Sequence, residues 1–216
     1  MGDDRLVHRS PEQALADAAA GYAKLYERED FARADGMVER ARRLVAELID
    51  FAGAVPQSVV DVGCGRGHSV RRLLESGVDV VVATDVVDGC MDDADLVDHP
   101  GVTFLNQSVL DLEPDVADWF YCVGVTPSVP DELLPAALDR LSASSRCGGL
   151  LAHCMIGHYA SADDLPLVAS GYVLGECEIE NRQRRSALQS MVLHHLRPRH
   201  IEDTYDGGWY YAKVRR

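Results

Sequence analysis

The 216-residue sequence predicts an α/β fold, with a mostly parallel sheet covered by helices on both faces. Three observations carry that expectation. From Ser58 onward, strand-like and helix-like segments alternate. The strand-like segments, such as Val78-Asp79-Val80-Val81-Val82-Ala83, are near-continuous apolar runs, as strands buried on both faces are. The first of them, at 58–62, runs directly into a glycine-rich turn, Gly63-Cys64-Gly65-Arg66-Gly67, that leads into a helix.

Ahead of this alternating region, residues 10–53 read as two helices. Ser10-Pro11-Glu12-Gln13 supplies an N-cap, a proline at the first helical position and an acid or amide behind it. Ala14, Leu15, Ala18, Ala19, Tyr22 and Leu25 follow at helical spacing. After a break near Asp30, Met37, Val38, Ala41, Leu44, Val45, Leu48 and Ile49 form a second apolar face, ended by Gly53 and Pro56. Residues 1–55 are thus expected to form an N-terminal helical cap on one compact unit spanning 56–216. Within that unit, strands are expected at 58–62, 78–84, 102–106, 117–123 and 148–155, and helices at 68–76, 90–97, 130–143 and 161–170. Pro130-Asp131-Glu132 opens the third of these helices, with Leu133, Leu134, Ala137, Leu138 and Leu141 facing inward. Residues 186–196 and 208–215 both read as strands. The polar segment between them is too short for a helical crossover, so an antiparallel pair closing the sheet is expected.

The net charge of −14 is unevenly spread: from Leu73 to Asp139 there are fifteen Asp and Glu and no Lys or Arg. Such an acidic sector repels phosphate backbones and argues against nucleic acid as a partner. The basic clusters at Arg40, Arg42 and Arg43, at Arg71-Arg72, at Arg182, Arg184 and Arg185, and at Arg197 and Arg199 read as solvated faces and helix ends. No run is long and apolar enough to span a membrane. The N-terminus lacks the layout of a signal peptide and has Leu6 where a myristoylation motif has Ser or Thr, so a cytosolic protein is expected. The six cysteines (64, 90, 122, 147, 154 and 177) are scattered without a C-x-x-C pair and read as structural reduced thiols rather than zinc ligands. His194-His195 lies in a strand-like stretch, which would send the two rings to opposite faces and away from a shared metal.

The chemistry is concentrated at strand ends, where open parallel sheets bind ligands. Glycines at 63, 65 and 67 let a ligand approach backbone N–H groups that no side chain covers. Asp61 lies inside the strand, two residues before the first glycine. A carboxylate there can accept hydrogen bonds from the turn, or hold an amino group through the turn or a water, but it is poorly placed beside a pyrophosphate. Asp-x-Gly-x-Gly-x-Gly therefore favours a ligand carrying an ammonium group, such as S-adenosyl-L-methionine (SAM). Asp85, closing the second strand, can accept hydrogen bonds from ribose hydroxyls, or stand as a solvated strand-end acid. Ser108 and Val109 follow the third strand, placed to meet an adenine.

Over roughly residues 58–155 the chain resembles class I SAM-dependent methyltransferases. The resemblance is carried by Val59-Val-Asp-Val-Gly-Cys-Gly-Arg-Gly67, by Thr84-Asp85, and by Leu110-Asp111-Leu112 ahead of Asp118-Trp119-Phe120-Tyr121-Cys122. More narrowly, Tyr22-Ala-Lys-Leu-Tyr26, Asp85-Val-Val-Asp-Gly-Cys-Met-Asp92 and Asp118-Trp-Phe-Tyr-Cys-Val-Gly-Val125 are similar to stretches of small methyltransferase-like proteins of bacteriophages. The resemblance implies a Rossmann-like, mostly parallel seven-stranded sheet ending in an antiparallel hairpin strand. It implies that Asp61, Gly63, Cys64, Gly65 and Gly67 surround the methionine moiety of SAM. Asp85 would then hold the ribose with Val86 against the adenine, Ser108 and Val109 would flank the adenine, and Cys122 to Gly124 would line the floor. Many relatives carry an Asp at the position of Ser108, and an Asp-x-x-Glu-His stretch where this chain has Gly124-Val-Thr-Pro-Ser128.

Methyl transfer to a small-molecule acceptor is the expected activity. It depends chiefly on in-line positioning, and on a base only where the acceptor must lose a proton. His158, past the end of the 148–155 strand, and His153 on it are the candidate bases, with Tyr159 beside them; His158 is the better placed, and His153 reads more readily as a strand histidine with a structural partner. Tyr22 and Tyr26, four apart on one helical face, either lid the cofactor or pack against the sheet. Trp119 and Tyr121 read as core. The missing acid and His after the fourth strand keep a second reading open, a SAM-binding protein without methyl transfer. An NAD-linked oxidoreductase is disfavoured by Asp61 and by the lack of a hydride-transfer set.

Overall fold

Near-continuous valine runs and helices with a single apolar stripe require a sheet with both faces covered, and the chain builds one. The structure is a computed structural model describing residues 10–27, 35–91, 93–153, 190–191, 193–197, 200–204 and 209–215. Its strands are β1 (Ser58–Val62), β2 (Val80–Asp85), β3 (Val102–Asn106), β4 (Ala117–Val123), β5 (Ser145–His153), β6 (His200–Thr204) and β7 (Trp209–Arg215). Its helices are α1 (Pro11–Tyr26), α2 (Asp35–Ala52), α3 (His68–Glu75), α4 (Ala94–Val97) and α5 (Leu134–Ala143), with 3-10 turns at Val109–Asp111 and Thr126–Ser128. The strands lie in the order β3-β2-β1-β4-β5-β7-β6. The first five are parallel, giving the expected Rossmann-like α/β arrangement. β7 runs antiparallel to β5, and β6 antiparallel to β7.

The period-two geometry of the strands divides the core into two layers. On one face Val59, Val81, Ala83, Trp119, Tyr121, Leu150 and Ala152 meet Leu44, Val45 and Leu48 of α2 and Val70 and Leu73 of α3. On the other, Val60, Val62, Phe120, Cys122 and Leu151 meet Leu134, Ala137, Leu138 and Leu141 of α5. At the amino ends of β1, β4 and β5 a polar clamp fixes the alignment. Ser58 Oγ donates to Asp118 Oδ2 at 2.9 Å and accepts from the Asp118 N–H at 2.9 Å, while Arg146 donates to Asp118 Oδ1 through Nε at 3.0 Å and Nη2 at 2.9 Å. Strand order reverses at β1, flanked by β2 and β4, so a crevice opens beyond the carboxyl end of β1.

Several boundaries move. The second strand starts at Val80, after the turn at Gly77, and the fifth at Ser145. The helix expected over 90–97 shortens to α4, because the Asp93 carboxylate caps it by accepting the Asp95 N–H at 3.1 Å. The helix expected at 161–170 lies outside the described residues. The strand expected over 186–196 is corrected: residues 190–191 and 193–195 are helical, and the partner of β7 is β6. One helical face explains this. Met191 and Leu196 reach the α5 layer of the core, and His195 Nδ1 lies 2.7 Å from Asp139 Oδ1, while Leu193 and His194 face solvent. The rings of His194 and His195 therefore meet edge to face, with centroids 4.9 Å apart, rather than pointing to opposite sides of a strand.

Gly149 of β5 sits opposite Phe120 of β4, and a Cβ there would fall 2.3 Å from Phe120 Cγ. Phe120 is fully buried and has nowhere to shift. Gly149→Ala is therefore expected to cost about 1–3 kcal/mol of stability by overpacking, read as a lower urea midpoint with an unchanged m-value.

Candidate functional site

The loop after β1 is fastened to the end of β2. The N–H groups of Gly63 and Cys64 both donate to the Thr84 carbonyl, at 2.8 and 3.0 Å, and the Gly65 N–H donates to Asp85 Oδ2 at 2.9 Å. Gly63 has a φ of 73°, and a Cβ there would lie 2.3 Å from Val125 Cγ2, so both backbone hand and space demand glycine. Gly67 caps α3 at a φ of 86°, with Leu96 Cδ1 2.7 Å from where its Cβ would be. The loop thus presents bare backbone towards the crevice.

Above the loop is a cavity of about 370 Å³. Its floor is formed by Val62, Gly63, Cys64, Gly65, Thr84, Asp85, Tyr121 and Val123, and one wall by Val86, Gln107, Ser108 and Val109. Leu15, Ala18, Ala19 and Tyr22 of α1 with Met37, Arg40 and Ala41 of α2 form a mostly apolar roof, and Gly124, Val125, Ser128 and Val129 a second wall. Helix α1 is tied across this space through the last turns at its C-terminal end. Tyr22 Oη and Ser128 Oγ share a hydrogen bond of 3.0 Å, and the Tyr26 hydroxyl donates to Asp85 Oδ2 at 3.4 Å. Arg66 Nη1 adds a 2.6 Å bond to the Tyr26 carbonyl.

Two buried acids set the electrostatics. Asp61, 1% exposed, accepts a short hydrogen bond from Ser69 Oγ. Burial pushes its carboxyl from 3.8 up to about 7, against the lowering effect of the Ser69 bond, and the nearby Asp85 raises it further. Burial also raises the Asp85 carboxyl, opposed by hydrogen bonds from Val87, Gly65 and Tyr26. The Tyr26 phenol is held well above its usual range by burial and by the charge of Asp85. A ligand bringing positive charge to this region relieves both carboxyls. Asp85 Oδ1 accepts the Val87 N–H at 2.9 Å, and with two lone pairs a carboxylate oxygen keeps acceptor capacity for a ligand hydroxyl.

The profile of a methyltransferase-domain family matches residues 37–208. The chain belongs to that family. No curated protein sequence matches it. Among solved structures it is similar to the 1,6-didemethyltoxoflavin-N1-methyltransferase of Burkholderia thailandensis, crystallised with 1,6-didemethyltoxoflavin and S-adenosylhomocysteine. That likeness has a TM-score of 0.66 at 17% identity, over 98% of this chain and 92% of that one. The N-methyltransferase NodS of Bradyrhizobium japonicum, in complex with S-adenosylhomocysteine, gives a TM-score of 0.62 at 14% identity, over 96% and 99% of the two chains. Magnesium protoporphyrin IX methyltransferase of Synechocystis, with bound S-adenosylhomocysteine, gives 0.50 at 19% identity, over 100% and 90%. These likenesses support the methyltransferase fold.

Within this methyltransferase domain, Gly63, Cys64, Gly65, Asp85, Val86, Ser108, Val109, Gly124, Tyr22 and Tyr26 all line the one cavity. Asp61 and Gly67 stand just behind it, Asp61 against Ser69 and Gly67 at the start of α3. Cys122 is corrected: it is fully buried in the α5 layer, because strand alternation turns its neighbours Tyr121 and Val123 to the cavity instead. Tyr121, read from sequence as core, serves both the core and the cavity floor. Ser108 Oγ caps the following 3-10 turn, accepting the Leu110 N–H at 3.2 Å, so its hydroxyl remains a donor where an Asp could only accept. His153 ends β5, paired with Tyr210, and His158 lies outside the described residues. Sequence reasoning missed Gln107, Ser128 and the roof residues Met37 and Arg40. Gln107 was reachable as the residue before Ser108 at a strand end, whereas Ser128 and the roof arrive only through helix packing. The chain also brings together Cys64, Asp85 and Cys90, whose donor atoms all lie within 4.8 Å of one another despite their separation in sequence.

The raised Asp61 carboxyl gives the ligand-free protein a definite pH response. The native state binds a proton more readily than the unfolded chain between the ordinary 3.8 and about 7. This contribution is therefore full below about pH 4 and is lost as pH rises through about 7. Chemical denaturation from pH 4 to 8 should show falling stability. In Asp61→Asn the fall should be flattened, leaving the variant more stable at pH 8 by on the order of a few kcal/mol.

Proposed function

We propose that the protein transfers the methyl group of SAM to a small, largely apolar acceptor enclosed beneath α1. The observation that carries this reading is a single cavity reaching from the bare glycine loop to an apolar helical roof. Loop, ribose acid and adenine wall lie on its floor and one side, and the space left under α1 suits a compact acceptor better than a nucleic-acid strand. The acidic sector between Leu73 and Asp139 supports the same choice.

The residues fit SAM on their own terms. Gly63 and Gly65 bring backbone to the cavity surface, Asp85 has acceptor capacity for a ribose hydroxyl, and Val86, 45% exposed, offers an apolar face to the adenine. Ser108 and Val109 flank the adenine edge. Asp61 meets the cationic end of the cofactor through the turn or through Ser69 rather than by direct contact. SAM supplies an electrophilic methyl group on a sulfonium. What the chain adds is orientation, exclusion of water and charge balance. His153, at the carboxyl end of β5, and His158 beyond it are proposed as bases for acceptors that must lose a proton. Residues 1–55 act as the cap and 56–216 as the cofactor-binding unit. The antiparallel β6–β7 edge supports reading the sheet as the complete seven-stranded class I form. Among the described residues no helix is long and apolar enough to cross a membrane; a cytosolic location is part of the proposal. One observation favours the second reading, binding without transfer: the Gly124–Ser128 wall offers neither carboxylate nor imidazole to an acceptor.

Calorimetry with SAM should show binding that strengthens as pH rises through about 7, where Asp61 ionises. Asp85→Ala should weaken it about 10- to 100-fold, the worth of lost charge-assisted hydrogen bonds. Protection by NAD against thermal unfolding, with no shift from SAM, would overturn the assignment. Methyl-labelled SAM incubated with a panel of small apolar acceptors and with DNA and RNA should label a small acceptor. Tight SAM binding with no label transferred to any acceptor would establish the second reading, and label on nucleic acid would overturn the acceptor class.

A further inference from the structure

Two thiols stand beside the glycine loop. Cys64 belongs to the loop after β1 and Cys90 to the loop after β2, with Asp85 between them at the end of β2. Two sulfurs and one carboxylate oxygen lie mutually within 4.8 Å, and the Cys64 thiol donates to the Gly65 carbonyl at 3.7 Å. The three residues are 5%, 4% and 5% exposed. Cys64 and Asp85 also line the cavity, so an ion has a way in.

We propose that Cys64, Asp85 and Cys90 form a binding site for a thiophilic divalent cation of the zinc class, and that its occupancy excludes SAM. Zinc bonds of about 2.3 Å to sulfur and about 2.0–2.2 Å to oxygen set donor separations of about 3.5–3.8 Å in a tetrahedron. The donors need to draw inward by about an ångström. The loop after β2 has room for this, since a Cβ at Gly89, next to Cys90, would meet nothing within 4 Å. Two sulfurs and one carboxylate select zinc-like ions over magnesium or calcium, which prefer oxygen alone. On binding, each thiol releases its proton to solvent as its metal–sulfur bond forms, and nothing is oxidised or reduced. The fourth position is left to water from the cavity. Burial holds the Asp85 carboxyl and the Cys64 thiol towards their protonated forms, and a bound cation reverses both.

The exclusion of SAM rests on the cofactor reading above, because it requires Asp85 to serve the ribose. The site itself stands on the donor geometry alone.

Cobalt(II), added to the reduced full-length protein without SAM, is the probe. One equivalent should produce thiolate-to-metal charge-transfer absorption in the near ultraviolet, bleached by one equivalent of zinc. Cys90→Ala should weaken cobalt binding at least tenfold, and the volume-keeping Cys90→Ser should do the same. Cys90 has no role in the cofactor site, so retained SAM binding by either variant reports that it folds. Absence of the band in the wild type, or a full band in both variants, would overturn the site. Saturating SAM should raise the apparent Kd for cobalt at least tenfold. Unchanged cobalt affinity with SAM bound by calorimetry would overturn the exclusion. Failure to bind SAM at all would instead count against the cofactor reading, with the band still deciding the site.

Discussion

Three successive amides of the turn after β1 are anchored on the end of one neighbouring strand. The Thr84 carbonyl takes the N–H groups of Gly63 and Cys64, and the Asp85 carboxylate takes that of Gly65. These bonds hold the turn in a backbone hand that only glycine adopts at low cost, and they decide where α3 begins. They also fix Asp85 in place, with one oxygen committed to the loop and the other reserving acceptor capacity. The position of the roof follows, because Tyr26 of α1 settles on the same carboxylate.

That arrangement carries an internal cost. Asp61 and Asp85 are both buried where ionisation is penalised, and the hydrogen bonds from Ser69, Gly65, Val87 and Tyr26 offset the penalty only in part. The sheet around them bears the strain: Val59, Val60 and Val62 are buried on their two faces and pack Asp61 tightly into the strand. A site poised in this way is less stable empty than filled, a common price of preorganised binding sites.

Much of this was legible in the sequence because it rests on local rules. Valine runs marked β1 and β2, glycines marked the turn, and the strand-end positions of Asp85, Val86, Ser108 and Val109 placed them around one crevice. The failures came where a rule was applied at the wrong period or distance. Position along the chain points Cys122 to the floor, whereas alternation gives the floor to Tyr121 and Val123. The 190–195 stretch looked strand-like from its apolar content, yet its packing onto α5 follows a helical face through Met191 and Leu196. Contacts such as Tyr22 with Ser128, or Cys64 with Cys90, join distant segments and leave no local trace.

The two roof helices are built into the molecule to different depths. In α2, Leu44, Val45 and Leu48 are fully buried in the core beneath the sheet, while Met37, Arg40 and Ala41 of the same helix face the cavity. In α1 only Ala18, Gly21 and Leu25 are buried, and the helix is fixed largely by its two tyrosine hydroxyls and the bond from Arg66. Selection therefore acts on the two unequally. Changes along α2 are constrained by the core they share, whereas the small side chains of α1 are free to drift. The roof of the cavity can therefore be reshaped along α1 at little cost to the core.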